Sequence, residues 1–313
     1  MIAVLSGGSG GAKFVDGLRQ VVPPEELTVI VNTGDDFEWW GLHVSPDLDS
    51  ITYLLAGLLS RERGWGVQSD TFFCLQAMGR MGQPGWFQIG DRDLAMHLAR
   101  TQMLKQGKML TQATAEITAS LGIASRVLPM TDARVATMVT TPRGEISFQE
   151  YFVQRQFRDE VRAVRFAGAE AATPAPGVLE AIASAEAVLI APSNPVTSIG
   201  PILAVPGVRE ALRHTAAPVA AVSPIVGRAA VSGPAGALMA AQGLEVSLAG
   251  IARIYDDFLD VLVADESDSA EAAELRQGGL PVQCAGTLMK AAEDRVGLAL
   301  AAVLSAASIS SAA

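Results

Sequence analysis

The sequence predicts an α/β fold: a Rossmann-like, doubly wound and mostly parallel sheet carrying a helical and β-rich insertion. Three observations predict it. Residues 2–31 read as strand, glycine-rich turn, helix and strand, which is a βαβ unit. The strands in it are unbroken apolar runs rather than alternating ones, the pattern of strands covered on both faces. Apolar runs of the same kind return after residue 186 and alternate with helical patterns.

The first strand is Ile2–Ser6, followed by the glycine-rich turn and a helix marked by Phe14, Leu18 and Val21 or Val22. Pro23-Pro24 ends that helix, because proline has no N–H to donate and disfavours helical backbone in the residue before it. Leu27–Val31 is the second strand. A helix is expected over Ile51–Leu59, with Asp49 or Ser50 placed to cap it. Residues 71–81, 92–106 and 111–121 carry apolar residues at three- and four-residue intervals and read as helices. Val135–Thr141, Glu145–Tyr151 and Val161–Phe166 read as strands, the first two joined by a turn at Pro142–Glu145. Strands Ala187–Ala191, Pro218–Val222 and Leu259–Ala264 follow, with helices Pro176–Ala185, Val205–His214 and Ala235–Gln242 between or after them. Val296–Ile309 reads as a terminal packed helix, and the Ala/Ser-rich end as a tail that frays.

On this reading residues 1–64 and 171–313 form an α/β nucleotide-binding core, and residues 65–170 an inserted helical and β-rich subdomain. Half of the 313 residues are apolar and 18% are charged, enough to bury a core and too apolar for a disordered chain. The net charge of −10 repels phosphate backbones at long range, so no nucleic-acid partner is expected. Single phosphates remain open as ligands, because backbone N–H groups bind them without net positive charge. Cys74 and Cys284 read as two buried, separate thiols, and His43, His97 and His214 are scattered, so no zinc site is expected. No secretory leader is visible, and the longest apolar stretch is too short and too weakly apolar to span a bilayer. A cytoplasmic protein without a membrane partner is the expectation.

In an open α/β sheet, ligands gather beyond the carboxyl ends of the strands. Four segments with unusual loop chemistry leave predicted strands there: Ser6–Lys13, Asn32–Asp36, Pro192–Pro195 and Ser223–Gly227. If the strands are parallel, all four meet at one edge. The glycine loop lacks the spacing of a Walker A loop, and Lys13 stands where the third glycine of a dinucleotide fingerprint belongs. It keeps the mechanism: glycines allow close backbone approach, and the following helix offers unpaired N–H groups to a phosphate. Asp35, Asp36, Asp47 and Asp49 fall within 15 residues, with Glu38 and His43 between them. Crowded carboxylates call for a cation or hydrogen bonds, and Mg²⁺ takes one or two of them with phosphate oxygens; solvated turns and helix caps are the plainer reading. In Gly90–Asp93, Asp91 reads as a cap and Arg92 as a fork for a phosphate or a polar ring edge. Trp39, Trp40, Trp65 and Trp86 lie in non-periodic stretches of the first 90 residues, either as core or as a wall for a flat ring.

Taken together, these strings resemble one family. Ser6–Leu18 (SGGSGGAKFVDGL), Asn32–Asp36, Ser45–Asp49, Leu128–Met130, Ser193–Pro201, Ser223–Gly227, Ser232–Gly236 and Asp256–Asp260 are similar, in this order, to the 2-phospho-L-lactate transferase (CofD-like) family over roughly residues 1–295. The resemblance implies a step in coenzyme F420 biosynthesis. The acceptor would be the deazaflavin Fo, the donor a guanosine diphosphate conjugate of lactate or a related three-carbon acid, and the products a phosphodiester and GMP. It implies Mg²⁺ and a homodimer. Asp36, Asp47 and Asp49 would hold the metal and supply the catalytic carboxylate, with Asp49 orienting or deprotonating the attacking hydroxyl. Asp47, Asp49 and Arg92 would lie on the deazaflavin side. Gly7, Gly8, Ser9, Gly10, Gly11, Lys13, Ser193, Asn194, Thr197, Ser198, Ser223 and Gly227 would surround the guanosine diphosphate. No motif separates lactate, enolpyruvate and glycerate. The alternative is a nucleotide-sugar-binding regulatory protein of the related gluconeogenesis-factor-like group; the broken fingerprint argues against a dehydrogenase.

Overall fold

Seven parallel strands form the central sheet of the computed structural model, which describes residues 1–310. In chain order they are β1 (Ile2–Ser6), β2 (Leu27–Val31), β3 (Arg126–Pro129), β4 (Ala187–Ile190), β5 (Val219–Val222), β6 (Val261–Asp265) and β7 (Val282–Ala285). Across the sheet they run β7-β6-β5-β4-β1-β2-β3. The chain therefore builds outward from β1 through β2 to β3, then crosses back to lay β4 on the other side of β1. That reversal makes the gap between β1 and β4 the topological switch point.

The unbroken apolar runs do what their pattern requires. Along β1, Ala3 and Leu5 point into one core and Val4 into the other, and all three are buried. One face is covered by helix α1 (Gly8–Val21), helix α2 (Pro46–Leu55) and the terminal helix Ala292–Ser310. The other is covered by Val178–Ala183, Val208–His214, Leu248–Ile254 and Ser269–Gln277. Gly17 of α1 lies against the carbonyl of Arg295, leaving no room for a β-carbon, and Arg295 donates to Asp16 at 2.7 Å. The terminal helix expected over Val296–Ile309 is present as Ala292–Ser310 and packs on α1; residues 311–313, the end of the Ala/Ser-rich tail, lie outside the described residues.

The segment expected as an insertion contains helix Phe73–Arg80, helix α3 (Asp91–Lys105) and helix Leu110–Ser120, then an antiparallel sheet of Ala136–Thr141 between Gly144–Ser147 and Ala163–Ala167. Inside that segment, Arg126–Pro129 belongs to the central sheet as its edge strand, paired with β2. The strand expected over Glu145–Tyr151 stops at Ser147, and the chain passes into a wide π-turn at Glu150–Gln154. The helix expected from Ile51 starts five residues earlier at Pro46, with Ser45 as its cap position, so Asp47 and Asp49 lie in its first turn rather than in a loop before it. Proline suits that first position because its missing N–H would have no helical partner. Cys74 and Cys284 are free thiols, half-buried rather than buried. Among the described residues no helix is long and apolar enough to cross a membrane.

Candidate functional site at the switch point

Ser6 ends β1 and the chain turns at once into α1, whose first residue is Gly8. No acid lies in the first turn of α1 and its N-cap residue supplies no side-chain cap, so its amino end turns its N–H groups toward groups from other loops. The turn is crowded on every side. A β-carbon on Gly7 would stand 2.7 Å from Asp47 Oδ2, and one on Gly10 would stand 2.5 Å from the Pro192 carbonyl oxygen. Gly8 has φ +65°, a left-handed conformation that glycine adopts without penalty.

The acids meet this loop directly. Gly8 N–H donates to Asp47 Oδ1 at 2.8 Å, and the Asn32 side-chain amide donates to Asp47 Oδ2 at 2.9 Å. Asn32 joins three loops, because the same amide reaches the Thr197 carbonyl at 3.4 Å and its oxygen accepts from Gly34 N–H at 2.8 Å. On the β4 side, Ser193 Oγ accepts from Gly7 N–H at 3.3 Å. Asn194 caps the following π-turn by accepting from the N–H groups of Val196 and Thr197. Ser198 lies 3.2 Å from the position of a β-carbon on Gly8. The antiparallel sheet closes the other flank, where Thr137 N–H donates to the Gly34 carbonyl at 2.7 Å.

Burial in this crowd disfavours the charged form of the carboxylates. Burial, chiefly, pushes Asp47 up to about 6, with Asp36 and Asp49 adding to it against the hydrogen bonds from Asn32 and Gly8. Asp35 is driven well above the usual carboxylate range, first by burial and then by Asp47 and Asp36. Its Oδ1 is buried and has no hydrogen-bond partner. Burial raises Asp36 too, opposed by His43, whose Nε2 lies 3.0 Å from Asp36 Oδ2, and by Ser45, whose hydroxyl donates to Oδ1 at 2.6 Å. Among the described residues no three acidic, histidine or cysteine side chains are grouped closely enough to hold a metal by themselves. What the cluster presents is one or two underneutralised carboxylates beside a helix amino end, which suits Mg²⁺ shared with phosphate oxygens.

Other expected site residues are placed differently. Asp49 faces away from the glycine loop into helix α3, where Arg100 grips both its oxygens and His97 Nδ1 lies 3.6 Å from Oδ2. Lys13 is exposed on the outer side of α1, in a groove with Asp16, Arg19, Arg61 and Arg295. Ser9 is exposed at the start of that groove. The Ser223 hydroxyl is spent inside its own loop on Ile225, and Gly227 N–H donates to Asp268 at 2.9 Å. Arg92 is exposed on the first turn of α3. Asp91 caps helix Phe73–Arg80 instead of its own, accepting from Phe73 N–H at 3.0 Å and Cys74 N–H at 2.9 Å, while Asp70 caps α3 in return. Trp39, Trp40 and Trp86 pack on one another with Phe37 and Phe87, closing a hairpin of Phe37–Trp39 and Leu42–Val44 that starts right after Asp36. Trp65 stands apart, beneath the Arg63 guanidinium.

Sequence reasoning missed Asn32 as a hub, the unsatisfied oxygen of Asp35, and the partners Arg100 and His97. The signal for the last two was present: they stand three apart on one predicted helix, the spacing that shares a face.

Fold and site together define a doubly wound α/β protein with a glycine turn and an acid cluster at one switch point, the place where such folds take phosphorylated small molecules. Comparison with known proteins narrows this. The chain belongs to the 2-phospho-L-lactate transferase CofD family, whose model matches residues 2–297. It is 43% identical over 290 residues to a protein of Methanosarcina mazei named 2-phospho-L-lactate transferase, covering 93% of this chain and 95% of that one. It is 46% identical over 294 residues to a protein of Streptomyces griseus named phosphoenolpyruvate transferase, covering 92% of each. Among solved structures, a UPF0052 family member from Bacillus halodurans shares the fold with a TM-score of 0.64 at 16% identity, over 96% of this chain and 98% of that one.

Proposed function

We propose that the chain transfers the phosphate-linked three-carbon acid of a guanosine diphosphate conjugate to the ribityl hydroxyl of the deazaflavin Fo, releasing GMP. Relatives named for phospholactate and for phosphoenolpyruvate support both acids as candidates. The observation that carries the reading is the Gly8–Asp47 contact, which sets an anion-binding helix end and a buried acid cluster side by side. In the reaction the hydroxyl oxygen bonds to the phosphorus bearing the acid, and the bond from that phosphorus to the GMP oxygen breaks. Such a transfer is mostly positioning and charge neutralisation.

Mg²⁺ fits the residues present, because Asp35 keeps a buried oxygen that no protein group satisfies and Asp47 stands next to it in charge. Those two would hold it with the diphosphate, where it would offset negative charge on the transferring phosphate. The N–H groups of the glycine turn would bind the same diphosphate, and Ser193 and Ser198 would close over it from the β4 side. Asp36, held by His43 and Ser45, would stand behind the pair. Asp49 is turned to Arg100, away from the glycine turn; the hydroxyl proton would pass to an acid of the cluster on the glycine-turn side that does not hold the metal. Arg92 would border the deazaflavin.

The test is to offer Fo with each guanylylated acid in turn and weigh the products. A phosphodiester of Fo together with GMP supports the reading. Absence of product with lactate, enolpyruvate and glycerate alike overturns it.

A further inference from the structure

We propose that the buried cluster of Asp49, Arg100, His97, Asp93 and Tyr53 is a positioning device for the reaction, fixing the rotation of α2 so that Asp47 stays aimed at the glycine turn. Asp47 and Asp49 are two residues apart in the first turn of α2, hence on nearly opposite sides of it at about 100° per residue. One carboxylate meets Gly8; the other meets α3. On α3, Asp93, His97 and Arg100 follow at spacings of four and three, which puts them on one face. Arg100 donates to both oxygens of Asp49, His97 Nε2 lies 3.3 Å from Asp93 Oδ1, and Tyr53 on α2 donates to that same oxygen at 2.6 Å.

All five side chains are buried. Burial works against the Arg100 charge, and Asp49 more than restores it. For stability alone such a cluster has little to recommend it, since apolar residues of similar volume serve as well or better. What the charges supply is direction: an apolar contact would let α2 roll, whereas a two-pronged guanidinium grip with a second anchor at Tyr53 does not. The same cluster ties α2 to α3, the helix that carries Arg92.

The inference rests on the transferase reading, and one set of variants separates the two. Arg100→Met, Arg100→Lys and Tyr53→Phe are compared with the unaltered protein by cooperative melting, by steady-state kinetics and by calorimetric titration of Mg²⁺ in the presence of GDP. Arg100→Met is expected to lower kcat about 10- to 100-fold and weaken Mg²⁺ binding at least about fivefold, leaving KM for Fo within about twofold. Arg100→Lys should recover part of both losses, and Tyr53→Phe, which deletes one hydroxyl, should lower kcat several-fold while folding normally. An Arg100→Met protein with lowered melting but unaltered kcat and Mg²⁺ affinity overturns the proposal. So does unaltered kcat in Tyr53→Phe if Arg100→Met fails to fold. An unaltered protein that binds Mg²⁺ and GDP without turning over any donor overturns the transferase reading instead, and the calorimetric arm then decides the positioning role alone.

Discussion

Asp47 Oδ1 accepts the Gly8 N–H at 2.8 Å, so a carboxylate already occupies the flank of the helix end where a phosphate would settle. Anion and acid repel each other there unless a cation lies between them. GDP should therefore bind weakly in EDTA and at least about tenfold tighter with Mg²⁺. Asp47→Asn should abolish that difference, binding GDP without Mg²⁺ as well as or better than the unaltered protein. Calorimetric titration of both proteins, with and without the metal, measures it.

The pH dependence follows from the same residue. Burial lifts Asp47 from 3.8 to about 6, so between those values the folded chain holds a proton that the unfolded chain has released. Stability from this group is therefore lost as pH rises through the window. The metal-free protein should melt at a lower temperature at pH 7 than at pH 5 on this account. On the proposed reading Mg²⁺ would take the ionised form, so it should raise Tm more at about pH 7.5 than at about pH 5.5. Activity should fall about tenfold per unit below pH 6. Melting curves and rates across that range check both signs.

Gly10 lies against the Pro192 carbonyl with no space for a side chain. Gly10→Ala should force the glycine turn away from the β4 loop, costing about 1–3 kcal/mol in denaturant unfolding. On the proposed reading GDP affinity should drop about tenfold or more, because the turn could no longer approach the diphosphate closely. Gly10→Val should do both more strongly.

Asp49 and Asp47 should separate cleanly in mutants. Asp49→Ala leaves Arg100 buried and unpaired, a loss of about 3–5 kcal/mol that urea unfolding would register. Asp47→Asn removes a charge that burial disfavours, so it should leave stability equal or higher while transfer falls by about 100-fold or more.

The parallel sheet was legible because its inner strands are continuous apolar runs buried on both faces, a pattern that short helices rarely imitate. β3 and β7 were not. Each is a four-residue edge strand, with exposed Arg126 or Gln283 interrupting the run, and each gains its identity only from a neighbour far along the chain. The meeting of the glycine turn with the acids was legible from strand direction alone. The partition of the acids was not, because Asp47 and Asp49 differ only in which way the helix turns them. Ser45-Pro46 carried the signal for an earlier helix start, and with it the opposite facing of the two acids. Arg100 and His97 sit about fifty residues from Asp49 in sequence, and only the packing of α3 on α2 brings them to it.

Ser193 follows Gly7 by 186 residues, yet the two share a hydrogen bond across the switch point. On the ribosome, β1 must therefore wait with one edge open while more than half of the polypeptide is still being made. The β4 side of the site is absent from an emerging chain until β4 docks, so a ligand that needs both sides cannot assist the early part of folding. A fragment ending between residues 50 and 186 would carry the glycine turn and all four clustered acids, yet lack the Ser193 side of the site.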